Sequence, residues 1–309
     1  MKRKILITGS SGMVGNSLIK LLKIKDYKIL TPSSKKLNLL NLNSIKSYLK
    51  KNKPNQIIHL AGYIGGIGAN TSEPVNFLQE NLLMGINLIK CSYKLKIKNF
   101  LNMGSSCIYP PKLKNPTKEN QLLQGNIELS NEGYAIAKIA TIKLCEYISK
   151  KYNYNYFSLI PCNIYGPHDK FDEKKGHVVG SLIKKISTAK EYNKKNVEIW
   201  GSGKPSRELI YVDDVAKAII KFMFNRTLTN KKIYWLNIGT GIDKKIYEIV
   251  KQIAKIIDYK GKLVYNLKKP DGVKSKLMNI NLSKKFGWAA KINLNDGLKK
   301  TIYWHKINK

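Results

Sequence analysis

The chain has 309 residues, with 56 Lys and Arg against 20 Asp and Glu, for a formal charge of +36. That length allows one large domain or two with a substantial buried core, and no 18-residue apolar run is present, so no membrane span is expected. The charge is lysine spread over the whole chain, with arginine only at Arg3, Arg207 and Arg226; it lacks the localised patch of a nucleic-acid binder and reads as solvated surface that also steers anionic ligands.

In chain order, the start MKRKILITGSSG has a basic beginning but a four-residue apolar core, too short for a secretory signal. KILIT (4–8) reads as a strand, followed by Gly9, Ser10, Ser11, Gly12, Met13, Val14 and Gly15 and then the helical pattern NSLIKLLK. A strand, a glycine turn and a helix let backbone N–H groups hold a pyrophosphate. Glycines at G-x-x-G-x-x-G spacing would also permit close helix–strand packing alone; the position directly after the opening strand favours the dinucleotide reading. YKILT (27–31) is the expected second strand, and Ser33, Ser34, Lys35 and Lys36 follow it with no acid among them. Hydroxyls and ammonium groups there suit a 2′-phosphate, hence NADP rather than NAD. IIHLA (57–61) brings Ala61, Gly62 and Tyr63 to the end of a third or fourth parallel strand, where a cofactor crevice is expected.

NFLNM (99–103) and YFSLI (156–160) are further strands, separated by long amphipathic stretches; 73–95 and 132–150 read as long helices. This alternation predicts an α/β fold, a doubly wound parallel sheet with a smaller α/β domain. The boundaries read as 1–162 with 207–224 for the dinucleotide-binding domain, and 163–206 with 225–309 for the smaller substrate domain. Cys91, Cys107, Cys145 and Cys162 have no CxxC spacing and suit a reducing cytoplasm. No grouping of His, Cys or acids has metal-ligand spacing.

Tyr134 and Lys138 stand four apart on the second long helix, so they share a face. A lysine ammonium beside the phenol would lower the tyrosine pKa and let it exchange a proton with a carbonyl or alcohol oxygen. Ser105, in FLNMGSSCIYP after the fourth strand, could give that oxygen a second hydrogen bond. Cys107, two residues on, would face the same side if the segment stays extended. His177 in KKGHVVG can move a proton near neutral pH. Each has a bland reading too: Cys107 as a small buried hydrophobe, His177 as a helix-start histidine. His59 reads as a satisfied residue inside an apolar strand.

The segments TGSSGMVG, HLAGYIGGIGAN, MGSSCIYP, LLQGNIELSNEGYAIAKIATIKLCE, PCNIYGPHDKF, GHVVGSLI, WGSGKPSRELIYVDD and KPDGVKSKL together resemble the extended short-chain dehydrogenase/reductases, and within them the GDP-L-fucose synthases, over almost the full length. The resemblance implies an NADPH-dependent enzyme that epimerises GDP-4-keto-6-deoxy-D-mannose at C3 and C5 and reduces its C4 ketone. It gives Tyr134, Lys138 and Ser105 to the reduction, Cys107 the role of epimerising base and His177 that of acid. It also implies cofactor contacts at Asn163 and His177. Sugar-nucleotide contacts follow at Ser106, Asn163, Val178, Lys185, Trp200, Arg207, Asp271 and Lys276, and the two long helices would pair across a homodimer.

Arg207 is independently notable, because a planar fork suits a diphosphate in a chain that otherwise uses lysine; a salt bridge to Glu208 or Asp213 is its bland alternative. One departure is visible: Asn279 stands where an acid is expected after KSKLM. Two other functions stay open at this point. One is a C4 reductase of a related GDP-4-keto-6-deoxy sugar, such as a heptose, without epimerisation. The other is a dinucleotide sensor or nucleic-acid binder on the same fold, against which the intact Ser105, Tyr134 and Lys138 argue.

Overall fold

In the computed structural model, which describes residues 2–22, 27–173, 175–269 and 271–308, the apolar runs of the first half line up as parallel strands. They are β1 (Arg3–Thr8), β2 (Tyr27–Leu30), β3 (Gln56–His59), β4 (Asn99–Met103) and β5 (Asn155–Pro161). Further along come β6 (Asn163–Tyr165), β7 (Asn196–Trp200), β8 (Ser206–Tyr211), β9 (Trp235–Ile238), β10 (Asp243–Lys245) and β11 (Lys262–Asn266). The large sheet has the order β2-β1-β3-β4-β5-β9, parallel throughout.

The helices that cover it include α1 (Met13–Leu21), α2 (Leu42–Asn52), α3 (Ile67–Ser72), α4 (Pro74–Lys94), α5 (Glu132–Tyr152), α6 (Val178–Glu191) and α7 (Val212–Phe222). Side chains of a strand alternate between faces, and β1 shows both faces buried. Ile5 and Ile7 join a core with Leu18 of α1 and Ile219 and Phe222 of α7. Leu6 joins another with Ile45 and Leu49 of α2 and Leu88 and Ile89 of α4. Helices on both faces of a parallel sheet make the doubly wound α/β architecture expected from the sequence.

Strand β9 lies inside the 225–309 stretch assigned above to the smaller domain, yet it completes the large sheet beside β5. Its Leu236 and Ile238 are fully buried in the core of that sheet, so this short run is held where it can bury both. Strand β8 opens the 207–224 stretch assigned to the large domain, but it pairs with β6 and β10 in a separate three-stranded sheet. The helix α7 that follows returns to pack on α1, and Ile210 of β8 joins the same core. A third core, around Tyr165, Ile183, Ile199, Ile249 and Leu298, holds this second lobe together.

Thr8, His59, Met103 and Pro161 end their strands on one edge of the large sheet. His59 is buried and bonded to Thr8 Oγ1 at 2.8 Å, and burial beside Lys138 pushes its pKa down to about 3, so the ring is neutral. Cys91, Cys145 and Cys162 are buried free thiols. Among the described residues no helix is long and apolar enough to cross a membrane, and no group of His, Cys, Asp and Glu is arranged to hold a metal ion.

Candidate active site

The glycine turn after β1 is packed too tightly for side chains. Gly9 has φ +68, and a Cβ on it would stand 2.6 Å from the Ala61 backbone nitrogen. A Cβ on Gly15 would meet the Gly9 carbonyl oxygen at 2.4 Å. The turn therefore presents backbone, and Gly12 caps α1 with no side-chain bond to the helix start. Ser10, Ser11, Met13 and Val14 line the same turn, and Asn16 ties it down by donating to the carbonyls of Ser11 and Gly12. A backbone cradle at an uncapped helix N-terminus fits a pyrophosphate. Beyond β2, Ser33, Ser34, Lys35 and Lys36 are all exposed, with Ser33 closing the turn through its carbonyl. Ala61 and Gly62 follow β3. There Asn81 of α4 accepts from Tyr63 N–H and donates to Tyr63 C=O, both at 3.0 Å, fixing the loop.

Lys138 is buried on α5, and its ammonium donates to the Met103 carbonyl at 3.0 Å. Burial brings its pKa down to about 8. Its Nζ lies 5.5 Å from the centre of the Tyr134 ring, so the i,i+4 pairing read from the sequence is present. The direction of the tyrosine shift is not as expected, however. Burial, with the Cys107 thiol nearby, pushes Tyr134 well above the ordinary tyrosine value, and the hydrogen bond with Ser105 only partly opposes this. Desolvation, which disfavours the charged phenolate, sets the direction. Tyr134 is consequently a protonated phenol, able to donate.

The segment after β4 is not extended. Ser105 has extended backbone, but Ser106–Ile108 form a 3-10 turn, and Ser105 Oγ accepts from the Cys107 N–H at 3.3 Å. A serine that caps a turn competes with a continuing strand. Cys107 still reaches the site by way of this turn: it faces Asn131, whose Nδ2 lies 3.6 Å from Sγ, and it is half-buried. Ser106 is buried.

His177 is the N-cap residue of α6 and holds Asp169 through Nδ1 at 3.4 Å. Asp169 is buried, takes the Lys170 N–H at 2.7 Å on the same oxygen, and leaves its Oδ2 without a partner. The chain just before His177 meets the loop after β3, where Gly66 N–H donates to the Lys175 carbonyl at 3.1 Å. Val178 continues α6 from the same place.

At the other end of the site, Arg207 does not pair with Glu208 or Asp213. Glu208 turns away and accepts from the N–H groups of Thr240, Gly241 and Met278, while Asp213 accepts from Ser17 Oγ at 2.6 Å. Arg207 Nη1 donates to the carbonyls of Ser206 and Val273 at 2.7 and 2.6 Å. Burial lowers its pKa, while Glu128, Cys107 and Asp271 lie close enough to raise it. Arg207 thus links the Cys107 end of the site with the Asp271 end. Lys276 pairs with Glu128 at 2.8 Å, and both Asp271 oxygens are held by Ser202 at 2.6 Å. Trp200 is 49% exposed, with Lys185 and Lys269 over its ring at 5.6 and 5.2 Å. Asn163 donates to the Glu208 carbonyl at 3.3 Å. Asn279 closes a local turn by accepting from Asn281 N–H.

Asn131, Asp169 and Glu128 take part in these contacts without having been singled out from the sequence. Each nevertheless lies within a segment quoted above: Glu128 and Asn131 just before Tyr134, and Asp169 in YGPHD.

The NAD dependent epimerase/dehydratase family model matches residues 5–239. The chain is 48% identical over 302 residues to the GDP-L-colitose synthase of Yersinia pseudotuberculosis, covering 97% of each chain. It is 37% identical over 313 residues to the GDP-L-fucose synthase of Escherichia coli K12, covering 99% of this chain and 98% of that one. Among solved structures, the GDP-mannoheptose C4 reductase of Campylobacter jejuni with NADP bound superposes with a TM-score of 0.89 at 32% identity, over 99% and 98% of the two chains.

Proposed function

The chain belongs to the NAD dependent epimerase/dehydratase family, and within it we propose an NADPH-dependent enzyme that epimerises GDP-4-keto-6-deoxy-D-mannose at C3 and C5 and reduces it at C4 to GDP-L-fucose. The observation that carries the reading is the gathering of Tyr134, Lys138 and Cys107 at one strand edge: the Lys138 ammonium lies 5.5 Å from the centre of the Tyr134 ring, and the Cys107 thiol is near enough to raise the phenol's pKa. Reduction and epimerisation need these two kinds of group around a single ketone. The large lobe takes the dinucleotide at the glycine turn, and the second lobe takes GDP near Trp200 and Arg207.

A carbon-bound proton beside a ketone is acidic only when the enolate oxygen is stabilised. Tyr134 and Ser105 donate to that oxygen. Cys107, as thiolate, removes the proton at C3 or C5, and His177, steadied by Asp169, returns one from the opposite face, which inverts the carbon. Bound NADPH would supply hydride for the C4 ketone. Tyr134 gives its proton to the C4 oxygen, and Lys138 stabilises the phenolate left behind. Ser33, Ser34 and Lys35 would hold the cofactor's 2′-phosphate.

The active form is a cytoplasmic homodimer on this reading. Leu83 of α4 and Ile136 and Tyr147 of α5 are exposed on two helices packed side by side, and a closed twofold pairing would cover such a face. Buried free thiols suit a reducing compartment. Light scattering at micromolar concentration should give twice the 35.2 kDa chain mass.

The relative named for GDP-L-colitose favours a second reading, in which the sugar lacks the C3 hydroxyl and only C5 can be inverted. Incubating the enzyme with GDP-4-keto-6-deoxy-D-mannose in deuterated water, with and without NADPH, tests the proposal. Exchange at both C3 and C5 supports it; reduction without exchange leaves a plain C4 reductase.

A further inference from the structure

Asn131 occupies the N-cap position of α5, where asparagine usually accepts from a backbone N–H one or two residues on. It makes no such bond. Its side chain turns instead to Cys107, with Nδ2 3.6 Å from Sγ, and its Oδ1 is shut off from solvent without a partner. A thiolate can only accept, so the amide must present its NH₂ edge to sulfur and its carbonyl edge to whatever lies beside it. A buried carbonyl oxygen without a donor is unfavourable, and one kept beside the proposed epimerising base calls for an explanation.

The carbons flanking a C4 ketone differ in what they can offer that oxygen. C5 bears a methyl group and the ring oxygen, neither of them a donor. C3 bears a hydroxyl. When Cys107 faces the C3 proton, that hydroxyl is on the same carbon, beside the amide whose nitrogen already borders the sulfur. The C2 hydroxyl is one carbon farther away.

We infer that Asn131 accepts a hydrogen bond from the C3 hydroxyl of the sugar, and so selects 3-hydroxy over 3-deoxy GDP-4-keto sugars. This rests on the epimerase-reductase reading above and decides between its two sugars. A pocket built to receive a hydroxyl rejects the analogue lacking it, because the buried acceptor is then left unpaired.

The test compares kcat/KM, at saturating NADPH, for GDP-4-keto-6-deoxy-D-mannose and its 3-deoxy counterpart. Wild type should prefer the hydroxylated ketone by about 10²-fold, below the roughly 10⁴-fold reached by fully enclosed hydroxyl sites. In Asn131→Leu the ratio should fall to within about fivefold, through loss on the hydroxylated substrate alone, since the acceptor is gone. Asn131→Ser serves the same purpose if the leucine variant melts at lower temperature. Asn131→Asp keeps an acceptor but sets a negative charge beside the thiolate. It should retain the preference while slowing deuterium exchange at C3, which a merely structural asparagine would not do. Equal use of both ketones by wild type overturns the inference alone, as does a ratio unchanged in both the Leu and Ser variants. Turnover of neither ketone by wild type overturns the parent reading and this one with it.

Discussion

The two ends of the six-stranded sheet differ in a way that charge and volume alone would misjudge. At the amino-terminal end of the strands lies a cavity of about 780 Å³ whose lining includes Arg3, Lys50, Lys53, Lys96, Lys98 and Arg226, with no carboxylate among its described lining residues. It holds two of the chain's three arginines. Yet its two arginines are already engaged, and its lysines stand at or near helix ends. Helices α2, α4 and α5 all end here, with Lys53, Lys96 and Asn153 in left-handed conformation at or just after their last turns, and cations at helix C-termini answer the negative end of the dipole. Arg226 donates to the Asn153 carbonyl at 3.0 Å. Phe224 is covered on one side by Tyr27 and approached by the Arg3 guanidinium at 5.6 Å. At the carboxyl-terminal end the opposite holds: the start of α1 has no side-chain cap, and Asn131 and Asp169 each keep a buried oxygen without a partner. Gln56 Oε1, at the start of β3, is a buried oxygen without a partner at the amino-terminal end. What sets the carboxyl-terminal end apart is therefore orphaned oxygens beside Cys107 and His177, the side chains proposed to react; the wide basic cavity follows from where helices stop.

The largest effect expected at the working end is at Tyr134. Tyr134→Phe keeps the ring and removes the only proton the phenol can give, so C4 reduction should fall by roughly 10²-fold or more while NADPH binding persists. A near wild-type rate for that variant would remove the phenol from the mechanism. Lys138 adds a pH signature. Burial brings it down to about 8, so its charge is present below that pH and lost as pH rises through it. Reduction by wild type should therefore decline above pH 8. Lys138→Arg, charged throughout, should be slower but flat to pH 9, and a parallel decline in both would assign the titration elsewhere.

Cys107 comes next. Cys107→Ser leaves a hydroxyl that is rarely ionised, so deuterium exchange at C3 and C5 should slow by about 10²-fold, the scale of general base catalysis. Direct reduction of the unepimerised ketone should survive, yielding a D-configured sugar. Unchanged exchange in this variant would leave Cys107 as the small buried hydrophobe of its bland reading.

How much of this was legible in the sequence depends on whether a feature is local. The five strands β1 to β5 stood out because each is a short apolar run bounded by polar or glycine-rich segments, and Tyr134 with Lys138 needed only helical spacing. Strand β9 did not stand out, because WLNI joins the large sheet across a chain excursion that periodicity cannot see. Cys107 was expected on an extended segment; the capping hydroxyl of Ser105 turns that segment into a 3-10 bend instead. The direction of the Tyr134 shift depends on burial, which only packing determines. Asn131 and Asp169 lie within quoted segments, but their orphaned oxygens were not legible there, since an oxygen without a partner is defined by everything around it.

A smaller effect is expected from the pocket beyond β2. Ser33, Ser34 and Lys35 are exposed donors with no acid among them, so NADPH should exceed NADH in kcat/KM by about tenfold, the value of one or two charge-assisted bonds to a phosphate. Lys35→Glu should narrow or reverse that ratio without changing the kcat reached with NADH. Equal use of both cofactors by wild type would leave the 2′-phosphate without a partner there.

The smallest effect belongs to the basic cavity, and it is the one that tests the contrast between the two ends most directly. If its cations serve helix termini rather than a ligand, Lys53→Gln with Lys98→Gln should alter kcat/KM for the GDP-sugar and for NADPH by less than about twofold at physiological ionic strength, where exposed charges this far from a site are screened. The loss of two exposed cations near helix C-termini should cost about 0.3–1 kcal/mol each, visible as a drop of a few degrees in the melting temperature. Raising the salt concentration should shrink the difference in melting temperature between the variant and wild type. A large fall in turnover with unchanged melting would show that the amino-terminal end of the sheet takes part in catalysis, and that unfilled hydrogen bonds are an incomplete guide to where this protein works.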